Sequence, residues 1–186
     1  MLKLFRGAAE TPHRAAVSMV GARPGDSVLF CGAGRPDLAG AVGVVTGLNG
    51  QTTVVDRQDG AKTRVAAGAA AAGALVDFED APLTMLPFDN GRWDVVVIVD
   101  GLQALGGTAT TVLGESVRVV RPGGRVVVID RVSRPGLFGL FRTAEASLVP
   151  AETITATLSA AGLRGVRMLA EVDGVRYFEG TKIAGG

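Results

Sequence analysis

Ser27-Val28-Leu29-Phe30-Cys31-Gly32-Ala33-Gly34-Arg35-Pro36-Asp37 carries three structural signals in one short stretch. An apolar run that follows the turn Arg23-Pro24-Gly25-Asp26 reads as a strand buried on both faces. Gly32 and Gly34 form a loop that lets the backbone come close to a ligand. Pro36 and Asp37 suit the first turn of a helix, whose N-terminus attracts negative charge. The stretch fails as a dinucleotide fingerprint, because the third glycine of Gly-x-Gly-x-x-Gly would fall on Asp37.

Downstream, strand-like and helix-like runs alternate. Strands are predicted at 27–31, 52–55, 75–78, 95–99 and 125–129, with helices near 37–47, 59–73 and 108–120. This βαβα order implies a parallel sheet with right-handed crossovers. The end of the chain reads differently. A helix at 151–161, stopped by Gly162, leads to β-prone runs at 166–172 and 175–183, separated by Asp173-Gly174. That dipeptide is a strong hairpin signal, since a type I′ turn needs positive φ at both centre positions. Open parallel sheets bind ligands at the carboxyl ends of their strands, where strand order reverses. Asp56, Asp80 and Asp100 stand at such ends. Acids there also cap helices, but beside a glycine loop they mark a ligand site.

The composition agrees with one α/β domain. The chain has 186 residues and is 47% hydrophobic, with a mean hydropathy of +0.33. A membrane protein and a sheet covered on both faces would each give such values. The longest apolar stretch, 65–76, is mostly Ala and Gly and too short to span a bilayer, whereas Val/Ile/Leu runs recur as buried strands do. The net charge of +1 gives no electrostatic footprint for nucleic acid, and no such partner is expected. Cys31 is the single cysteine, which excludes an internal disulfide framework and fits a reducing, cytoplasmic setting. The opening Met-Leu-Lys-Leu-Phe-Arg lacks the long apolar core of a signal peptide.

Read as an ordered set, these segments resemble the class I S-adenosylmethionine (SAM) methyltransferases. Val28 through Gly34 looks like their first motif, Val54-Val55-Asp56 like the second-strand motif and Asp80-Ala81 like the third. Leu86-Pro87-Phe88-Asp89-Asn90-Gly91-Arg92-Trp93-Asp94-Val95-Val96 is similar to the loop and fourth strand. Leu102-Gln103-Ala104-Leu105 sits where quinone-type members often show Leu-His-His-Leu. Val119-Val120-Arg121-Pro122-Gly123-Gly124-Arg125 resembles the turn before the fifth strand, and Ala161-Gly162-Leu163 and Gly180-Thr181-Lys182 the closing elements. The resemblance runs from about Pro24 to Ile183, and its nearest flavour is the ubiquinone/menaquinone group. It implies a Rossmann-like, doubly wound α/β sheet of seven strands in the order 3-2-1-4-5-7-6, with strand 7 antiparallel. The whole chain, 1–186, is then one domain, with 1–24 as a covering segment and 25–186 as the core.

The resemblance also implies a function, SAM-dependent methyl transfer to a small apolar acceptor. The implied cofactor site comprises Cys31, Gly32, Ala33, Gly34, Asp56, Arg57, Asp80, Ala81 and Asp100. Asp56 would accept the ribose hydroxyls, Asp80-Ala81 would contact adenine, and the glycine-loop N–H groups would meet the tail carboxylate. Two residues depart from the family. Phe30 stands where an acid usually helps hold the SAM amino group, and Pro36 replaces a third glycine with a bulkier residue that lacks an N–H. Both weaken the cofactor site, so a second reading stays open: a non-catalytic scaffold that binds a protein partner or a membrane surface. No catalytic base declares itself. His13 reads as a surface residue of the N-terminal helix, Tyr177 as structural, Gln103 as a substrate-orienting group and Cys31 as a small buried hydrophobe. Leu137, Phe138 and Phe141, between Arg134 and Arg142, form an apolar loop on the substrate side, suited to a lid or to a partner surface.

Overall fold

Alternation within each strand builds the two sides of the molecule. In β1 (Ser27–Cys31), Val28 and Phe30 point to one face of the sheet and Leu29 and Cys31 to the other. The computed structural model describes residues 14–131 and 149–183. After α1 (Arg14–Val20) and β1 come α2 (Pro36–Thr46), β2 (Gln51–Val55), α3 (Ala61–Ala72), β3 (Asp77–Glu79) and β4 (Trp93–Ile98). A short 3₁₀ turn (Gln103–Thr108) precedes α4 (Ala109–Val119), β5 (Val120–Arg131), α5 (Ala151–Ala160), β6 (Arg164–Val172) and β7 (Val175–Thr181). The seven strands lie in the order β3-β2-β1-β4-β5-β7-β6. All neighbours are parallel except β7, which runs antiparallel to both β5 and β6. This is the expected topology. Asp173 (φ 52°) and Gly174 (φ 73°) are both left-handed, as a type I′ hairpin requires.

One core packs α1, α2 and α3 against Val28, Phe30, Val54, Val95, Val97, Val127 and Ile129. The other packs α4 and α5 against Leu29, Cys31, Val96, Ile98, Val126, Val128 and Phe178. Helix α1 is the described part of the covering segment. It buries Ala16 and Val20, and the Arg125 guanidinium donates to the carbonyls of Val20 (3.0 Å) and Gly21 (2.6 Å) at its end. Lys182 does the same for α4, its ammonium donating to the carbonyls of Val117 (2.7 Å), Arg118 (3.3 Å) and Val120 (2.8 Å).

The alanine-rich α3 owes its composition to its neighbour. A Cβ on Gly40 of α2 would stand 2.6 Å from the Gly68 carbonyl, and one on Gly68 would stand 2.5 Å from the Pro36 carbonyl. The two helices thus touch backbone to backbone where α2 begins. Another tie holds the loop before β4. Glu115 accepts from the Leu86 N–H (2.8 Å), while Arg118 bridges Glu115, the carbonyls of Leu86 and Phe88, and the Asn90 side chain.

Several strand boundaries differ from the sequence reading, and the third, fifth and sixth strands show why. The third strand starts at Asp77, not at 75, because it pairs only with Thr53, Val54 and Val55 of β2; Leu75 lies outside the ladder, 78% exposed. The fifth strand begins at Val120, five residues before 125, because Val120 already pairs with Trp93 and the Arg121-Pro122-Gly123-Gly124 segment forms an irregularity within the ladder. The sixth starts at Arg164, paired with Thr181.

Two predictions follow from this packing. Gly68→Ala, although a better helix former, is expected to destabilise by about 1–3 kcal/mol because the new methyl meets backbone. Gly114→Ala in α4, where a Cβ meets nothing within 4 Å, should instead leave stability unchanged or raise it by up to ~1 kcal/mol. Urea midpoints of the two variants decide the point. The second concerns pH. The hydrogen bond from Arg118 holds the Glu115 carboxyl below its usual range, against the opposing effect of burial. Its contribution is therefore present above about pH 4.3 and is lost as pH falls through the lower folded value. Between about pH 5 and pH 3, Glu115→Gln should lose less of its own stability than the parent chain loses, as read from unfolding midpoints.

Candidate functional site

Strand order reverses between β1 and β4, and the two glycines and Asp100 meet there. Gly32 has φ 105°, a conformation that L side chains rarely adopt, and its N–H bonds the Val55 carbonyl at 2.9 Å. Gly34 faces β4, and a Cβ there would overlap the Asp100 carboxylate. Asp100 is itself left-handed, with φ 65°, and Gly101 follows at φ 76°. The chain thus turns sharply off the end of β4 and lays the Asp100 side chain against the glycine loop.

Asp56 lies beneath that loop at the end of β2, 6% exposed. Its carboxylate accepts three backbone N–H bonds, from Ala33 (2.7 Å, to Oδ2) and from Arg57 and Gln58 (2.7 and 2.9 Å, both to Oδ1). An ionised carboxylate has about four acceptor sites. The remaining one is on Oδ2, so a ligand hydroxyl has one oxygen to address rather than two.

The other strand-end acids each have an arginine. Asp80 meets Arg57 at 3.9 Å, and both side chains are largely exposed. Asp100 meets Arg131 of β5 at 3.4 Å. Asp130, 4% exposed, pairs with Arg176 of β7, 7% exposed. Arg176 also donates to the Val149 carbonyl at 2.8 Å, and Asp130 lies so close to Gly101 that a Cβ there would strike it. The β4, β5 and β7 ends are thereby locked to one another. Among neutral lining groups, Ala81 is 7% exposed and packs with Leu86 in the α4–α5 core, at the edge of the β3 end.

The structure brings Gly32, Ala33, Gly34, Asp56 and Asp100 together, with Arg57, Asp80 and Ala81 along the β2–β3 side. It places Cys31 differently. The thiol is fully buried 4.0 Å from the Ser116 hydroxyl, and burial pushes its pKa up to about 12. The Cys31 carbonyl accepts from the Val99 N–H, so this residue supports the loop from within the core. Phe30 is likewise buried, in the α1–α3 core, and Tyr177 lies in that same core. Gln103 is exposed at the start of the 3₁₀ turn. His13 and the loop residues Leu137, Phe138 and Phe141 lie outside the described residues.

Sequence reading missed Asp130, Arg131 and Arg176. Asp130 was visible as one more acid after a strand, but its pairing with Arg176 needed β7 to be placed beside β5 in register, Asp130 opposite Arg176.

Comparison with known proteins follows the same lines. The chain is 32% identical over 143 residues to a protein of Bdellovibrio bacteriovorus named ubiquinone/menaquinone biosynthesis C-methyltransferase UbiE, covering 72% of this chain and 57% of that one. It is 33% identical over 120 residues to a 2-phytyl-1,4-naphtoquinone methyltransferase of Synechococcus elongatus, covering 63% and 51%. The chain spans about half the length of the curated relatives it matches. A crystal structure of a SAM-dependent methyltransferase from Aquifex aeolicus superposes with a TM-score of 0.69 at 17% identity, over 91% of this chain and 92% of that one, and so shares the fold. Residues 10–167 match one family description over most of the chain's length, and the chain belongs to the ubiE/COQ5 methyltransferase family.

Proposed function

We propose that the protein is a SAM-dependent methyltransferase whose acceptor is a quinone-type ring. The observation that carries the reading is the pairing of Gly34 with Asp100 across the reversal of strand order, above a buried Asp56. A Cβ at Gly34 would overlap the Asp100 carboxylate, so the missing side chain lets that acid lie directly against the loop backbone. The residues fit the group. Asp56 presents one free acceptor site at the β2 end, suited to a ribose hydroxyl. Ala81 and the neighbouring Leu86 offer an apolar margin at the β3 end for an adenine, with Asp80 and Arg57 at the rim.

SAM, when bound, supplies a methyl group made electrophilic by its sulfonium. The protein's own contribution is to fix the direction of approach and keep water out. In favourable cases such positioning is worth roughly 7–11 kcal/mol. The quinone class rests on the relatives, which are named as methyltransferases of ubiquinone/menaquinone biosynthesis and of 2-phytyl-1,4-naphtoquinone. For a ring carbon as acceptor, SAM would supply the methyl group, and S-adenosylhomocysteine and a ring proton released to solvent would be the other products. Among the described residues, no helix is long and apolar enough to cross a membrane.

A second reading is favoured by one observation. Phe30 lies wholly in the core and presents no acid to the site. A scaffold that had lost its cofactor would keep this fold and act through a surface, with the loop 134–142 as the candidate.

Isothermal titration with SAM and S-adenosylhomocysteine separates the two readings. Saturable heat with either ligand is expected, and no heat together with no thermal shift overturns the methyltransferase reading in favour of the scaffold. Asp56→Ala should weaken both ligands by roughly 1.5–3 kcal/mol, the scale of a charge-assisted hydrogen bond. It should also lower the melting temperature, because three backbone N–H groups lose their acceptor.

A further inference from the structure

We propose that the outer edge of β6 is a self-association surface, on which β6 of a second copy of this chain pairs antiparallel about a two-fold axis at Met168. The interface uses none of the residues assigned to the cofactor. The sheet has two edges. One is β3, with three residues, and the other is β6, with nine. A short edge offers little backbone to a partner, whereas a long one presents a row of unpaired N–H and C=O groups. Among the described residues, β6 has β7 on one side and no strand on the other. Its side chains are also open. None is buried, and Met168 and Val172 are 44% and 37% exposed.

Charge selects the occupant. Arg164 and Arg167 stand in the first half of β6, with Glu171 near its end and Asp173 in the turn that follows. Arg167 is held by Glu179 at 2.7 Å. Arg164, Glu171 and Asp173 are exposed and form no ion pair with a described residue. A second β6 laid parallel would set base against base and acid against acid. Laid antiparallel, it sets the basic half of each copy beside the acidic half of the other, twice over. A strand with opposite charges at its two ends is complementary to itself in that one orientation, which is the isologous contact of a symmetric dimer.

The register follows from the pleat. Arg164, Arg167 and Val172 pair with Thr181, Glu179 and Val175, an even number of residues apart on β7, so the three share one face of the sheet. Met168, paired with Phe178, is on the other. With Met168 opposite its own copy, Arg164 lies opposite Val172 of the second copy on that shared face, flanked by Glu171 and Asp173 of that copy. A slip that set Met168 opposite Arg167 would put side chains of different faces against each other. An unbranched, adaptable thioether at the axis suits contact with itself.

The chain's single cysteine leaves the surface clear for a crosslinking test. Cys31 is wholly buried and its pKa is pushed up to about 12, so a cysteine introduced at the surface is the reactive thiol. Opposite residues of an antiparallel pair have Cα atoms about 4.5–5.5 Å apart, within the span of a disulfide. Under mild oxidation Met168→Cys should give a covalent dimer on a non-reducing gel, whereas Met85→Cys, 70% exposed in the loop after β3, should not. In sedimentation the full parent chain should show a concentration-dependent dimer. Arg164→Glu and Glu171→Arg should each weaken it by about fivefold or more, since every change acts twice in a symmetric pair, and the double reversal should restore it. Met168→Lys should leave a monomer with an unchanged circular dichroism spectrum. A parent that is monomeric at every concentration overturns the proposal. So does a dimer that crosslinks no better at 168 than at 85, or one that the double reversal weakens more than either single change. These outcomes stand even if Met168→Lys fails to fold.

Discussion

A buried carboxylate holds the top of the sheet together. Asp56 accepts from Ala33 in the loop after β1 and from Arg57 and Gln58 in the loop after β2, so two crossover connections share one acceptor. Peptide N–H groups at the start of such loops have no strand partner, and burying them unpaired costs free energy comparable to a lost hydrogen bond. The carboxylate removes that cost and sets the height of the glycine loop above the strand ends. Everything proposed for the site depends on that height: the approach of Gly34 to Asp100, the opening at the β1–β4 reversal, and the direction in which α2 departs. Of the other strand-end acids, Asp80 and Asp100 are held more loosely by exposed arginines, whereas Asp130 is held tightly by the buried Arg176.

The charge pairs grade from surface to interior along the carboxyl edge. Asp80 with Arg57 lies in solvent, Asp100 with Arg131 is intermediate, and Asp130 with Arg176 is buried. An exposed pair is easily exchanged for another partner, whereas breaking a buried one strands a charge in a poor solvent. The edge is therefore soft where a cofactor would enter and stiff beneath β5 and β7. Arg176 adds to the stiffness by donating to the Val149 carbonyl, which ties the chain entering α5 to the same buried acid.

Much of this was legible in the residues. Central strands announced themselves because both faces are buried, so Val95 to Ile98 and Val126 to Ile129 carry no polar interruption. The hairpin was legible because Asp173-Gly174 satisfies a backbone requirement that few dipeptides meet. The edge strand β3 was harder. Its hydrophobic signal began at Ala74-Leu75-Val76, but its start is decided by pairing with β2, a non-local event. The glycine loop and the strand-end acids could be named from sequence, but which lone pairs of Asp56 are already taken could not. Nor could the destination of Phe30: alternation places it on the helix-covered face, where the side chain serves packing alone. Buried pairs such as Asp130 with Arg176, 46 residues apart, leave no local trace.

The bare contact between α2 and α3 has a consequence for recognition. Gly40 and Gly68 let the two helix backbones touch at the Pro36 carbonyl, immediately after the loop that ends in Gly34 and Arg35. A glycine-rich loop left to itself is the most freely moving kind of chain, and immobilising it on a ligand would cost entropy at the moment of binding. Here the entropy is surrendered during folding, because Asp56 fixes the loop from below and α3 fixes its far end through Gly68. The protein meets its ligand with this segment already in place, and affinity gained this way is preorganisation rather than additional contact.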